Sequence, residues 1–181
     1  SSAASDVYKR QFEGKTIGTP IHMIVQNKDH RPEAYSEMKT KFRPSHADYT
    51  YQNKFGIRNW QGGGRSSARE TIARVAGGAV AKKLLKQRFG VEVLSYVKQV
   101  QKITADIDHE KVKMRDIESN IVRCPEKIIA EKMIKLIERT RKAGNTVGGI
   151  IEGVARGLPV GWGEPVFDRL EADLALSLIH I

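Results

Sequence analysis

A single cysteine, Cys124, stands in a chain of 181 residues, so no internal disulfide framework is available and the fold rests on its apolar core. One cysteine also fits a reducing compartment. Long apolar runs are missing: IHMIV from Ile21 and GGIIEGVA around Ile150 fall far short of the ~20 residues a membrane span needs. Runs of five or more basic residues are missing too, although 31 Lys and Arg against 21 Asp and Glu give a net charge of +10. The five histidines, His22, His30, His46, His109 and His180, show no metal-ligand spacing, so no metal is expected. No segment repeats.

What is present is ordinary for one globular domain: 40% hydrophobic and 29% charged residues, and enough length for a substantial core. The positive balance calls for an acidic partner. Arg43, Arg58, Arg65 and Arg69 stand singly beside Gly, Pro, Ser and His. That pattern suits individually aimed anion contacts, such as those to phosphates, better than a diffuse nucleic-acid surface. The first eleven residues, SSAASDVYKRQ, lack an initiator Met and the apolar centre of a signal peptide. They and the tail 176–181, LSLIHI, are expected to be foreign to the protein, leaving 12–175 as one domain.

The pattern predicts an α+β fold with helices covering a sheet. KTIGTPIHMIVQ, Lys15 to Gln26, reads as a strand or hairpin, and Asn27 to Asp48 as a long loop ordered by its aromatics. A helix is expected from about Ala68 to Arg88, with an apolar stripe of Ile72, Val75, Ala76, Ala79, Val80 and Leu84. Its small residues predict close packing on a neighbour. Ser67 and Glu70 have capping-box spacing, and Gly90 is placed to stop the helix. Val91 to Val100 alternates as a strand. A second helix is expected over Pro125 to Lys142, a strand over Asn145 to Ala155, and a third helix from about Glu164.

Two stretches carry chemistry. In GGGRSS, Gly62 to Ser67, glycines let backbone N–H groups approach a ligand, and a helix N-terminus follows with unsatisfied N–H groups and partial positive charge. Arg65 and the hydroxyls of Ser66 and Ser67 add donors, which together suit a phosphate. The run lacks the Gly-Lys-Ser/Thr ending of a P-loop, is no G-x-G-x-x-G turn, and has no G-x-S-x-G elbow. By itself it fits a glycine hinge before a capped helix equally well. In FRPSHADYTY, Phe42 to Tyr51, His46 lies between Arg43 and Asp48, as a general acid or base or as a hydrogen-bonded loop residue. YTYQNKFGIRNW, Tyr49 to Trp60, has the composition of a nucleic-acid stacking platform. Burial of its aromatics under the loop is the favoured alternative.

The two stretches join into FRPSHADYTYQNKFGIRNWQGGGRSSARETIARVAGGAVAKKLL, which resembles the central signature of the chorismate synthase family. The flanks GKTIGTPIHMIVQNKDHRPEAYSEMK and GLPVGWGEPVFDRLEADLA agree, and the resemblance covers about Phe12 to Ala175. It implies the family's β-α-β sandwich, incomplete here, since the family's N-terminal Gly-Glu-Ser-His-Gly segment and its C-terminal flavin loops are absent. It also implies a phosphate lyase of the shikimate pathway that converts 5-enolpyruvylshikimate-3-phosphate to chorismate and phosphate by 1,4-anti elimination.

The cofactor implied is reduced FMN, with NADPH only if the parent enzyme reduces its own flavin. His46 matches the family histidine that protonates reduced FMN. Arg65, Ser66 and Ser67 match its FMN-contacting run. Arg43 matches an arginine near the substrate's anionic groups, with Glu70 a partner to that cluster. The implied partners are a phosphorylated small molecule and a homotetramer of the full-length protein, with neither nucleic acid nor membrane, in the cytoplasm or, in a plant, the plastid. The chain alone is expected to be inactive. A basic nucleic-acid-binding module is the alternative reading.

Overall fold

The glycines and turn residues divide the chain into short elements, seen in a computed structural model that describes residues 11–13, 15–27, 31–62 and 64–178. Contacts group these into two units. One runs up to Ala81 and resumes at Glu171, and the other is Lys82–Leu170.

In the first unit, β1 (Gln11–Phe12) and β2 (Lys15–Thr16) form a two-residue antiparallel ladder. Of the strand or hairpin expected over Lys15 to Gln26, only Lys15–Thr16 joins this ladder; Gly18, in the left-handed region at φ 76°, and Pro20 follow it. The long loop is partly regular: Pro32–Lys39 is a 3-10 helix opened by its proline. The next element, α1 (Asp48–Phe55), carries aromatic residues expected to be buried under the loop. That expectation is corrected. Tyr49 and Phe55 are 62% and 56% exposed, and their rings pack locally, Tyr49 edge-on to Phe42 and Phe55 against Tyr51.

The long helix α2 (Thr71–Phe89) begins three residues after the expected Ala68, behind a 3-10 turn over Ala68–Glu70, and ends as expected at Gly90, φ 72°. Its predicted stripe does not become core within this chain. None of its residues is buried, Val75 and Leu84 are more than half exposed, and a Cβ on Gly77 or Gly78 would meet open space.

The second unit holds the core. β3 (Glu92–Val100) is the centre of a three-stranded antiparallel sheet, with β4 (Ile103–Thr104) on one side. A charged insert follows with one helical turn, α3 (Met114–Ile117), and then α4 (Lys127–Lys142) and β5 (Gly149–Arg156), which pairs with the other side of β3. The register slips between Val97 and Gln99. One extra residue there re-aims the strand, so Val97 and Val100 pack into one cluster with Ala130, Met133 and Leu136 of α4. Leu94 and Tyr96 instead pack on Val112 and Ile117 of the insert. At the slip β5 comes so near that a Cβ on Gly149 would lie 2.5 Å from the Gln99 carbonyl oxygen.

Polar groups bind the insert and strands together. Tyr96 pairs with Glu152 across the strands and donates its buried hydroxyl to that carboxylate, which also takes the Lys98 ammonium. Arg156 donates Nη1 to Glu92 at 3.0 Å, and its other guanidinium nitrogens to the carbonyls of His109 and Val112. The predicted third helix begins later than Glu164. Residues 164–169 are irregular, with Val166 and Asp168 at positive φ, and α5 is Leu170–Leu178. Trp162 packs edge-on against Phe89, ring centres 5.2 Å apart.

Candidate functional site

The loop before α1 is folded around one carboxylate. Pro44 restricts the chain, and Ser45 takes φ 56°, a left-handed conformation that costs a non-glycine residue about 1–2 kcal/mol. The turn returns the chain to Asp48, first residue of α1 and 1% exposed. Arg43 meets that carboxylate as a fork: Nε to Oδ2 at 2.7 Å and Nη2 to Oδ1 at 3.0 Å, with the Arg43 backbone N–H also donating to Oδ2 at 3.2 Å. Arg58 brings Nη1 to 3.6 Å from Oδ1. Its Nη2 donates to the carbonyls of Met38, Lys39 and Lys41, and the guanidinium lies over the Phe42 ring at 4.9 Å. His46 places Nδ1 3.2 Å from Oδ1.

The Arg43 fork holds the Asp48 carboxyl down to about 2, against the opposing effect of burial, with smaller help from the Arg43 backbone N–H, its charge and His46. The same pair raises Arg43. An ionised acid is therefore kept in a nearly dry place, where charge pairing is strongest. His46 Nδ1 and Arg58 Nη1 are buried there with no aligned hydrogen bond.

The glycine run leads into two tight turns, Gly64–Ser66 and Ala68–Glu70, and then into α2. Gly64 sits at φ 51°, and a Cβ there would meet the Asn59 Cβ at 3.0 Å. Asn59 is thus packed on the turn, while its neighbour Arg58 reaches the carboxylate. Those two adjacent residues link the loop of His46 to the glycine run. Ser67, expected to cap the long helix, caps the 3-10 turn Ala68–Glu70 that precedes it, and its Oγ accepts from the Arg69 N–H at a long 3.5 Å. The reciprocal half of a capping box does not form, because the Ser67 N–H donates to the Gly64 carbonyl. Arg69 Nη2 reaches the Gly62 carbonyl at 3.3 Å.

The predicted residues fall into two neighbourhoods. Arg43 and His46 meet at Asp48. Ser66, Ser67 and Glu70, all half-buried, lie along the two turns, with the Arg65 backbone among them. The side chain of Arg65, and Gly63, lie outside the described residues. Arg43 spends Nε and Nη2 on Asp48, so Nη1 is the nitrogen left out of that fork. Asp48, noted in the sequence as a neighbour of His46, and Arg58, noted as a singly placed arginine, were not named among the candidate site residues. The signal for Asp48 was its spacing, since an acid two residues beyond a histidine and five beyond an arginine can meet both across one turn. Arg58 carried no such signal, because it acts on carbonyls 17–20 residues away.

A groove of roughly 490 Å³ lies elsewhere, in the second unit. It is lined mainly by apolar residues of β3, β5 and α4, with Arg141 and Asn145 among them. It contains none of the predicted site residues, and the chemistry of the Asp48 loop outweighs its size. Among the described residues no group of three His, Cys, Asp or Glu is placed to hold a metal ion, and no helix is long and apolar enough to cross a membrane.

The family profile described as Chorismate synthase matches residues 6–181. The chain is 56% identical over 176 residues to the chorismate synthase of Acaryochloris marina, covering 97% of this chain and 48% of the relative. It is 59% identical over 170 residues to that of a Cyanothece species, covering 94% and 47%. The chain spans about half the length of the curated relatives it matches. A solved structure, "Crystal Structure of Chorismate Synthase", superposes with a TM-score of 0.68 at 25% identity, covering 96% of this chain and 51% of that one. The mixed fold with its small antiparallel sheet is thus the family's. The strings around His46 and Gly62 that suggested the resemblance sit inside the matched region, and the chain belongs to the chorismate synthase family.

Proposed function

We propose that this chain supplies part of the active site of an FMN-dependent lyase that converts 5-enolpyruvylshikimate-3-phosphate to chorismate and phosphate. The observation that carries this reading is the joining of the His46 loop to the glycine turns through Arg58 and Asn59, in a chain of this family. In the reaction the carbon–oxygen bond to phosphate breaks, a proton leaves carbon, and a new double bond forms with no net redox change. Reduced FMN, when bound, supplies electron density that helps expel the phosphate.

The residues fit a phosphate-bearing group. Ser67 makes only a long cap bond, which leaves its hydroxyl hydrogen available as a donor. Ser66 and Ser67 stand at the turns before α2; the N–H groups of Ser67, Arg69 and Glu70 are already engaged within those turns, so the Ser67 hydroxyl is the donor that this reading uses there. In this reading Arg65, Ser66 and Ser67 hold the flavin, and His46 holds the proton given to it. Arg43, through Nη1, and Glu70 border the substrate's anionic groups. A site of this kind works by aiming donors at negative charge with water excluded. NADPH enters only if the full-length protein reduces its own flavin. The family's tetramer and cytoplasmic setting, or a plastid one in a plant, belong to the same proposal.

The test is a chimera in which this chain replaces the matching half of the Acaryochloris marina enzyme. With reduced FMN under anaerobic conditions it is expected to form chorismate, and His46→Ala to lower kcat about 10²-fold or more, the usual worth of a positioned acid. A folded chimera that forms no chorismate, or one indifferent to His46→Ala, overturns the reading. The 181-residue chain alone is expected not to turn over.

A further inference from the structure

Asp48 has more cationic and N–H neighbours than a loop tie requires. Arg43 alone fills one lone pair on each oxygen, and a further one on Oδ2 through its backbone. Yet Arg58 Nη1 and His46 Nδ1 also converge on Oδ1, at 3.6 and 3.2 Å. The Arg58 side chain is 6% exposed. Neither nitrogen has an aligned hydrogen-bond acceptor, and Oδ1 is the anionic oxygen that both approach.

The two ring nitrogens of His46 are therefore in different surroundings. Nδ1 is buried against an ionised oxygen, whereas the side chain as a whole keeps 22% exposure, so solvent reaches it at atoms other than Nδ1. In a neutral imidazole one nitrogen carries a hydrogen and the other a lone pair. A lone pair on Nδ1 would lie 3.2 Å from a carboxylate oxygen and be repelled by its negative charge, although the two are not in line. A hydrogen on Nδ1 removes that repulsion and leaves the lone pair on Nε2. The turn that holds the ring here includes Ser45 at φ 56°. Such a conformation persists where its surroundings over-determine it.

We propose that Asp48 is a positioning residue for His46: it holds the hydrogen on Nδ1 and so makes Nε2 the nitrogen that takes up and releases the working proton. That the proton goes to reduced flavin rests on the functional reading above. The tautomer itself does not. The step balances within the ring, since Nε2 gains a proton to give the cation and loses the same proton on delivery, while Nδ1 keeps its hydrogen throughout.

The experiment is a long-range ¹H–¹⁵N correlation spectrum of the labelled 181-residue chain, recorded well above the ordinary imidazole value of about 6.5. His46→Gln identifies the His46 signals by their loss. The expected spectrum has Nδ1 at the protonated end of the nitrogen range and Nε2 at the unprotonated end. A hydrogen on Nε2 overturns the proposal. In Asp48→Asn the single pattern is expected to give way to a mixture of tautomers, with the amide signals of β3 unmoved. Retention of the single Nδ1–H pattern in that variant also overturns it. Should Asp48→Asn fail to fold, the spectrum of the unaltered chain decides alone. An inactive chimera beside an Nδ1–H tautomer removes the lyase reading and leaves the positioning role. An active chimera beside an Nε2–H tautomer does the reverse.

Discussion

Arg43 and Asp48, five residues apart, close the loop that contains His46, with Nε to Oδ2 at 2.7 Å and Nη2 to Oδ1 at 3.0 Å. The pair is asymmetric. The acid is 1% exposed and the arginine side chain 25%, so the carboxylate depends on its partner more than the arginine does.

Acid should therefore loosen this loop late. The Asp48 carboxyl lies near 2 in the folded chain, below its ordinary 3.8, so its contribution is complete above about pH 4 and is lost as pH falls through 2. That contribution is on the order of 2 kcal/mol. Denaturant unfolding of the chain and of Asp48→Asn at stepped pH is expected to show this acid limb in the former and its loss in the latter.

At the other end of the scale, Tyr96 is 1% exposed. Burial first, and the Glu152 carboxylate second, push its phenol up to about 12. Its contribution is full below about pH 10 and disappears as pH rises through 12. Alkaline difference spectroscopy is expected to show one late-ionising tyrosine, and Tyr96→Phe to abolish it. Because that variant leaves Lys98 on Glu152, it should cost only about 1 kcal/mol at neutral pH.

Gly64→Ala meets two obstacles, a φ of 51° and the Asn59 Cβ at 3.0 Å. A loss of about 1–2 kcal/mol is expected from the backbone alone. If the glycine turns hold flavin, FMN affinity of the chimera, read by fluorescence quenching, should fall as well. Gly77→Ala, with nothing within 4 Å, serves as the control and is expected to leave affinity unchanged.

Met133 is 0% exposed and lies between Ala130 and Leu136 in the cluster under β3. Met133→Ala is expected to cost about 2–5 kcal/mol, read as a shift in the denaturant midpoint with little change in slope. Ile128→Ala on the same helix, at a position 69% exposed, should cost under about 1 kcal/mol.

What the sequence disclosed follows the range of the forces involved. α4 was legible because its apolar period is local and a packed face, Ala130, Met133 and Leu136, selects it. Ser67 as a cap and Gly90 as a stop were legible because each acts on its own turn. α1 was missed: DYTYQNKF has no apolar stripe and only Asp48 buried, so its cause is a charge cluster, which periodicity does not register. The α2 stripe was read correctly as a stripe, but burial depends on partners that a pattern does not name. At the candidate site, His46 and the serines were proposed from their strings, whereas Arg58 acts through carbonyls distant in sequence.

The close approach of Gly149 to Gln99 gives β5 a lock in both directions. Sliding one residue so that Ile150 faced Val100 would press a side chain toward the Gln99 carbonyl, where a Cβ on Gly149 already comes within 2.5 Å. Sliding the other way would admit Gly148, but Ile151 would then stand opposite Tyr96 in place of Glu152, stranding a buried hydroxyl and the Lys98 ammonium. One direction is refused by volume and the other by unpaired polarity. A strand of eight residues thus carries its own alignment mark, read without help from any loop.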